Sequence, residues 1–213
     1  YGYVENFIGV SGRKERLSQL PDGNFLPPLD MNCVEKDFKK NLFDKLGRTY
    51  TSGRVTNITK NHNGRGKCQS RNLCIRGCPY GAYFSSNSST LPAAEATGNM
   101  TLKTNSIVHS IIYDDEKNIA TGVRVLDSET LEMTEYYARI IFLNASTINS
   151  TLIMLNSKSR RFPNGFGNDS GELGHNIMDH HFKAGARAQI DGYEDYYYHG
   201  NRPANGYLAR FRN

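Results

Sequence analysis

Residues 101–155 read TLKTNSIVHSIIYDDEKNIATGVRVLDSETLEMTEYYARIIFLNASTINSTLIML. Three stretches within them, Thr101–Tyr113, Thr121–Leu126 and Met133–Leu143, are rich in Val, Ile, Thr and Tyr, which suit a pleated, half-buried surface. Asp114–Asn118 and Asp127–Thr130 are turn formers between them. The pattern predicts an antiparallel β-meander. Its final strand, Arg139–Leu143, is apolar at successive positions and so predicts burial on both faces. Ala145-Ser146-Thr147 then supply a turn of small residues, and Asn149 to about Ser157 a helix with Leu152, Ile153 and Leu155 inward. Strand, small-residue turn and helix make half of a dinucleotide-type crevice. The expected class is α/β, or α+β when the chain is taken as an isolated fragment.

Upstream, Tyr3, Val4, Phe7 and Ile8 have helical spacing, closed by Gly9 and Gly12. Pro21–Pro28 reads as a loop. Asn32 is placed to cap a second helix, with Val34, Phe38, Leu42 and Leu46 as one stripe and Gly47 as its stop. Glu35, Lys36, Lys39 and Lys40 form its solvated face. From Thr49 to Ser89 there is little periodicity but much Gly, Asn and Cys, which predicts a functional loop or a lid. A short helix follows, with Thr90 as cap, Pro92 in the first turn and Gly98 at the end. Downstream, 165–174 is another Gly/Asn loop, and alternation near Phe182–Ile190 predicts a strand of a second sheet.

The whole chain has 213 residues, 38% of them hydrophobic, no Trp, and a mean hydropathy of −0.60. Thirteen Tyr and ten Phe supply large side chains for a core. Lys plus Arg number 26 against 21 acids, a net charge of +5. The bases are scattered, with only short knots at Arg160-Arg161 and Lys39-Lys40, which argues against a nucleic-acid partner. No apolar run approaches the ~20 residues of a membrane span. Both ends read as cuts in a longer protein. Four cysteines are too sparse for a disulfide-stapled scaffold and suggest reduced thiols in a non-extracellular enzyme, without deciding between a cytoplasmic and a periplasmic location. Six Asn-x-Ser/Thr sequons are discounted as chance in a chain rich in those residues.

Several segments resemble, in order, motifs of the glucose–methanol–choline (GMC) flavoprotein oxidoreductases. Gly77-Cys78-Pro79-Tyr80-Gly81-Ala82-Tyr83-Phe84-Ser85-Ser86, with Thr90-Leu91-Pro92-Ala93-Ala94, resembles the family's GC-x-x-GA-x-x-S turn and the helix after it. Ala120–Val125 is similar to its ATGVRY strand. Ile140–Leu143 with Thr151–Leu155 is similar to its VVLAAGAxxSPxLLLLS element, and Gly171–His180 to GxVGRNLMDH. Tyr1–Gly12 resembles a further family helix. Two departures stand out. The family's AAGA turn is Asn144-Ala145-Ser146-Thr147 here, with Ser where the family has Gly, and His181 replaces a Pro after the Asp-His pair.

The resemblance implies an FAD enzyme that oxidises the CH–OH group of a sugar or alcohol by hydride transfer to flavin and passes electrons to an acceptor it does not identify. It places residues 1–85 in a substrate or cap region, 86–181 in the FAD-binding domain, and 182–213 at the start of a substrate-domain sheet. By position it assigns FAD contacts to Val108 (adenine), Ala145 and Ser146 (adenosine and pyrophosphate). It assigns no catalytic residue to this chain: the family's Gly-rich first turn would lie before Tyr1 and its C-terminal His after Asn213. The chain alone is therefore expected not to turn over substrate.

Cys68-x5-Cys74-x3-Cys78, with His62 nearby, could ligate zinc or an iron–sulfur cluster, and some membrane-associated family members carry such a cluster on similarly placed cysteines. The spacing is irregular for zinc and lacks a fourth ligand, so buried packing thiols are the preferred reading and no metal site is assigned. His175, Asp179, His180 and His181 supply two ligands on one face if helical, and read as structural. Tyr193–His199 could stack on sugar rings or form a Tyr-rich strand. The alternative function is a carbohydrate-binding or interaction module without redox activity.

Overall fold

The computed structural model describes residues 1–71, 73–180, 185–193 and 205–209. The chain divides into two compact units, Leu102–Ala186 and a second made of Tyr1–Thr101 with Arg187–Asn213.

The first of these contains the meander. β2 (Ser106–Asp114), β3 (Ile119–Asp127) and β4 (Met133–Tyr137) form one antiparallel sheet in that order. Val108 pairs with Val125, and a bulge at His109 then shifts the register so that Ser110 meets Arg124. Gly122 is fixed by a close approach: a Cβ there would run into the carbonyl oxygen of Tyr136 on β4. α4 (Ser146–Asn156) lies on β2 and closes a small core of Ile111, Val125 and Ile153. A buried hydroxyl joins helix to sheet, since Ser157 Oγ accepts from the Ile111 N–H at 2.7 Å and donates to the Ile153 carbonyl at 2.6 Å. Beyond α4, Asp115 accepts from the backbone N–H groups of Arg160 and Arg161 and from the Ser159 hydroxyl, and holds that loop down. Tyr113, Phe162 and Phe166 pack edge to face beside it, with ring centroids 5.0–5.7 Å apart.

The doubly buried strand expected at Arg139–Leu143 is not there. β4 ends at Tyr137, the chain bends at Arg139 and Ile140, and the segment carries no strand, with Ile140 71% and Phe142 81% exposed. A strand needs a neighbour to become part of a sheet, and among the described residues Arg139–Leu143 has no ladder partner. Leu152 is likewise exposed, so only Ile153 and, in part, Leu155 carry the inward face of α4.

In the second unit, α1 (Gly2–Ile8) stops at Gly9, whose φ of 75° is left-handed. α2 (Cys33–Leu46) starts with a capping box: Asn32 Oδ1 accepts from the Glu35 N–H at 2.8 Å and Glu35 accepts from the Asn32 N–H at 3.0 Å. Glu35 is thus committed to the helix start instead of to a solvated face. The α2 stripe is open, with no residue of the helix buried. Phe38 meets Tyr50 edge on at 5.1 Å. β1 (Tyr50–Ser52) pairs antiparallel with β5 (Gly206–Leu208). α3 (Thr90–Glu95) begins after Ser89, so Thr90 is its first residue and not its cap. Residues 185–190 carry no strand, and 182–184 lie outside the described residues.

The stretch 53–89 is irregular yet cross-braced. Ile58 N–H donates to Ala82, Phe84 to Thr56, Cys68 to Ile58 and Gly66 to Tyr80, and Ile58 and Ala82 are fully buried. A lid has few such ties; this stretch is part of the unit's core.

Candidate functional site

The loop after β4 turns into α4 at Asn144-Ala145-Ser146-Thr147. Ser146 has φ +65°, the left-handed region that costs an L-residue free energy and that Gly adopts freely. The backbone thus demands what the family's Gly provides, and the chain meets that demand with Ser. Ala145 sits at the N-cap position, half-buried, and makes no side-chain cap. The first N–H groups of α4 have no side-chain cap, at the positive end of the helix dipole.

Ser146, Thr147, Ile148 and Asn149 form one wall of an open groove of about 820 Å³. Ile177, Met178, Asp179 and His180 form the other. Two motifs thirty residues apart in sequence are thus brought to one place. The second wall is held in shape by turns. Leu173 N–H donates to Asn168 Oδ1 at 3.1 Å, His175 N–H to the Glu172 carbonyl, and Asn176 has a left-handed φ of +57°. This segment is not helical, so His175 and Asp179 do not share a helix face, and His181 lies outside the described residues.

Val108 is half-buried on β2 and is not among the groove residues. Of the three expected FAD contacts, the groove holds Ser146, with Ala145 directly before it.

The second concavity belongs to the other unit. Cys68, Cys74 and Cys78 line it with Asn57, Arg71 and Tyr80. The three thiols are half-buried instead of buried, because the concavity opens beside them. It encloses about 20 Å³, space for roughly one water. Asn57 Nδ2 lies 3.6 Å from Cys74 Sγ. Burial pushes the Cys78 thiol up. The backbone N–H groups of Tyr83, Tyr80 and Ala82 and the positive Arg71 pull it down further, leaving it below the ordinary thiol value. Among the described residues no three His, Cys, Asp or Glu side chains converge as metal ligands.

Sequence reasoning overlooked Arg65. It is only 5% exposed, and its guanidinium donates to the carbonyls of Gly81 (2.8 Å), Ile8 (2.6 Å) and Ala82 (3.4 Å). Asn63-Gly64 turns the chain in a two-residue hairpin between His62 and Arg65, aiming that side chain inward. The Asn-Gly dipeptide was the available signal.

The model of the GMC oxidoreductase family matches residues 34–182, more than half of the chain. The chain belongs to the GMC oxidoreductase family. It is 25% identical over 142 residues to the fructose dehydrogenase large subunit of Gluconobacter japonicus, a match covering 65% of this chain and 25% of that protein. It is 28% identical over 183 residues to the 2-methyl-1,2-propanediol dehydrogenase of Mycolicibacterium austroafricanum, covering 84% of this chain and 32% of that one. The chain thus spans about a quarter to a third of the length of these curated relatives. Its helices and antiparallel sheets are those of an α+β piece of a GMC FAD-binding domain. The residues fit the group this family binds: uncapped N–H donors for phosphate oxygens, beside an open groove with the apolar side chains of Ile148 and Ile177. Among the described residues no helix is long and apolar enough to cross a membrane.

Proposed function

We propose that this GMC chain forms the adenosine-side wall of an FAD site in an oxidoreductase that acts on the CH–OH group of a sugar or alcohol. The reading rests on one observation: the left-handed Ser146 opens an uncapped helix into a groove shared with residues 177–180. When bound, FAD supplies the hydride-accepting flavin ring. The chain's own residues bind and orient. The first-turn N–H groups of α4 hold phosphate oxygens, Ala145 keeps the approach open with its small side chain, and Ile148 and Ile177 exclude water from a ring or ribose face. Val108 is proposed to contribute backbone contacts to adenine. No residue of this chain is assigned a part in removing the hydroxyl proton, and the chain alone is proposed to be inactive on alcohols and sugars.

The test is flavin retention by the flavin-loaded protein. Ala145→Leu adds three carbons where backbone and cofactor meet. Overpacking commonly costs ~1–3 kcal/mol, or about one to two decades in affinity. Cys74→Ser, at a residue that does not line the groove, should retain flavin nearly as the parent does. After identical desalting the flavin-to-protein absorbance ratio should fall for Ala145→Leu alone. A fully yellow Ala145→Leu beside a colourless Cys74→Ser would reverse the assignment and give the cofactor role to the cysteine concavity.

A second reading attaches to that concavity, an iron–sulfur electron-transfer element. It is supported by three thiols lining one concavity and by the lowered Cys78 thiol, and opposed by the lack of three convergent ligands among the described residues. Elemental analysis separates the two. Substoichiometric iron supports packing thiols, and about three to four irons per chain with a brown colour supports the cluster.

A further inference from the structure

Between Asp44 and Glu95 lie fifty residues without one Asp or Glu. The same stretch holds eight Lys and Arg: Lys45, Arg48, Arg54, Lys60, Arg65, Lys67, Arg71 and Arg76. The other 18 bases therefore share the rest of the chain with all 21 acids, so the positive charge of the protein resides in this stretch. The cations themselves are spaced ordinarily. The local field comes from the missing acids.

Not all eight point outward. Arg65 is buried, and Arg54 is tied to Asp22 and to the carbonyl of Leu20. Lys60, Lys67, Arg71 and Arg76 are exposed, and among the described residues none forms an ion pair with a carboxylate. Lys60, Lys67 and Arg71 precede, and Arg76 ends, a short 3-10 turn, Cys74–Arg76, on which Ile75 is 98% exposed. Leu73 and Tyr80, 41% and 46% exposed, line the concavity together with Arg71. An aliphatic side chain held fully in water, with half-open apolar neighbours and unpaired cations close to it in sequence, matches the make-up of a transient protein interface, an apolar centre with charged residues beside it.

We propose that the surface carried by Lys60–Tyr80 docks a protein partner that presents carboxylates around a small apolar contact. The complementarity is electrostatic, so it speeds encounter and weakens with salt. A protein fits better than a nucleic acid, because the most exposed side chain at the centre is aliphatic and offers no stacking face. It fits better than a lipid surface, because a three-residue turn buries too little apolar area to anchor a membrane-surface element.

The test uses a fluorescent poly-L-glutamate as the acidic polypeptide, with anisotropy read at low and at near-physiological salt. Two triple variants carry the same net charge: Lys67→Gln/Arg71→Gln/Arg76→Gln on the patch, and Lys36→Gln/Lys117→Gln/Lys158→Gln away from it. All six side chains are exposed, and unchanged melting curves check the fold. The patch triple should weaken polyglutamate binding about tenfold, and the remote triple less than twofold. Ile75→Glu, which sets a carboxylate among the cations, should match the patch triple. Equal losses from the two triples, or no binding at low salt, would overturn the proposal. So would patch-dependent binding to duplex DNA or to phosphatidylglycerol vesicles that exceeds binding to polyglutamate.

Discussion

Replacing Ser146 by Gly should make the protein more stable, although it removes a hydroxyl and adds backbone freedom. The left-handed φ of +65° costs an L-residue about 1–2 kcal/mol. Glycine escapes that cost but loses more entropy on folding, by about 0.5–1 kcal/mol. The difference leaves a net gain of about 0.5–1 kcal/mol. For the unit Leu102–Ala186 that corresponds to a rise of about 2–8 °C in melting temperature. Ser146→Ala separates the two contributions, because it deletes the hydroxyl and keeps the strained conformation, and it should gain nothing. Ser146→Val should lose about 1 kcal/mol more than Ala, a β-branched side chain being least tolerant of positive φ. Thermal unfolding followed by far-ultraviolet circular dichroism ranks the four proteins. The order Gly above Ser, Ser at or above Ala, and Val last is required. A Gly variant that melts at or below the parent, with Val unchanged, would falsify the left-handed turn and the groove geometry built on it.

Arg65→Met should cost about 3 kcal/mol or more in urea unfolding, since the carbonyls of Ile8, Gly81 and Ala82 lose their shared donor inside the core. Arg65→Lys should recover only part of that loss, because an ammonium cannot reproduce the fork. Ser157→Ala should cost about 1–3 kcal/mol by leaving the Ile111 N–H unsatisfied between α4 and β2; an equally stable variant would mean that this link is not made. The Asp115 carboxyl is held below the usual carboxylate range, first by the Arg161 N–H and, against the opposing effect of burial, by the Arg160 N–H and the Ser159 hydroxyl. A lowered folded-state value stabilises above the unfolded carboxyl's pKa and is lost as pH falls through the folded one. The protection of the amides in residues 159–162, taken relative to their intrinsic exchange rates at each pH, should therefore fall below about pH 4. Asp115→Asn should show the lower protection already at pH 7.

The meander was legible because its three strands carry their own evidence: β-branched runs and Asp-rich turns. Both cap positions of α2 were equally plain, since Asn32 and Gly47 act within a few residues of themselves. Arg139–Leu143 misled for the opposite reason. Its apolarity reports what the segment can bury, whereas a strand exists only beside a partner. The same limit applied to Phe38 and Leu46, whose stripe is real but uncovered. The groove was half visible. The small-residue turn and the 176–180 motif could each be picked out, but their meeting depends on loop 157–175, whose course is set by Asp115 and by the positive-φ glycines Gly165, Gly167, Gly171 and Gly174. Arg65 escaped notice because a lone Arg in a Gly/Asn stretch looks like any surface cation. Only the converging carbonyls show that it is inside.

Arg65 also changes how the irregular stretch should come apart. Its guanidinium cannot shed its charge, and its acceptors belong to the end of α1 and to the segment 81–82. Releasing any one of them strands a cation without water, so openings of a single loop are suppressed. The amides of Ile58, Gly66 and Cys68, whose acceptors are the carbonyls of Ala82, Tyr80 and Ile58, should then exchange with one common free energy, like the members of a single helix. A segment without regular secondary structure would in this way behave as one cooperative element, and a substitution in any of its turns would be felt in all of them.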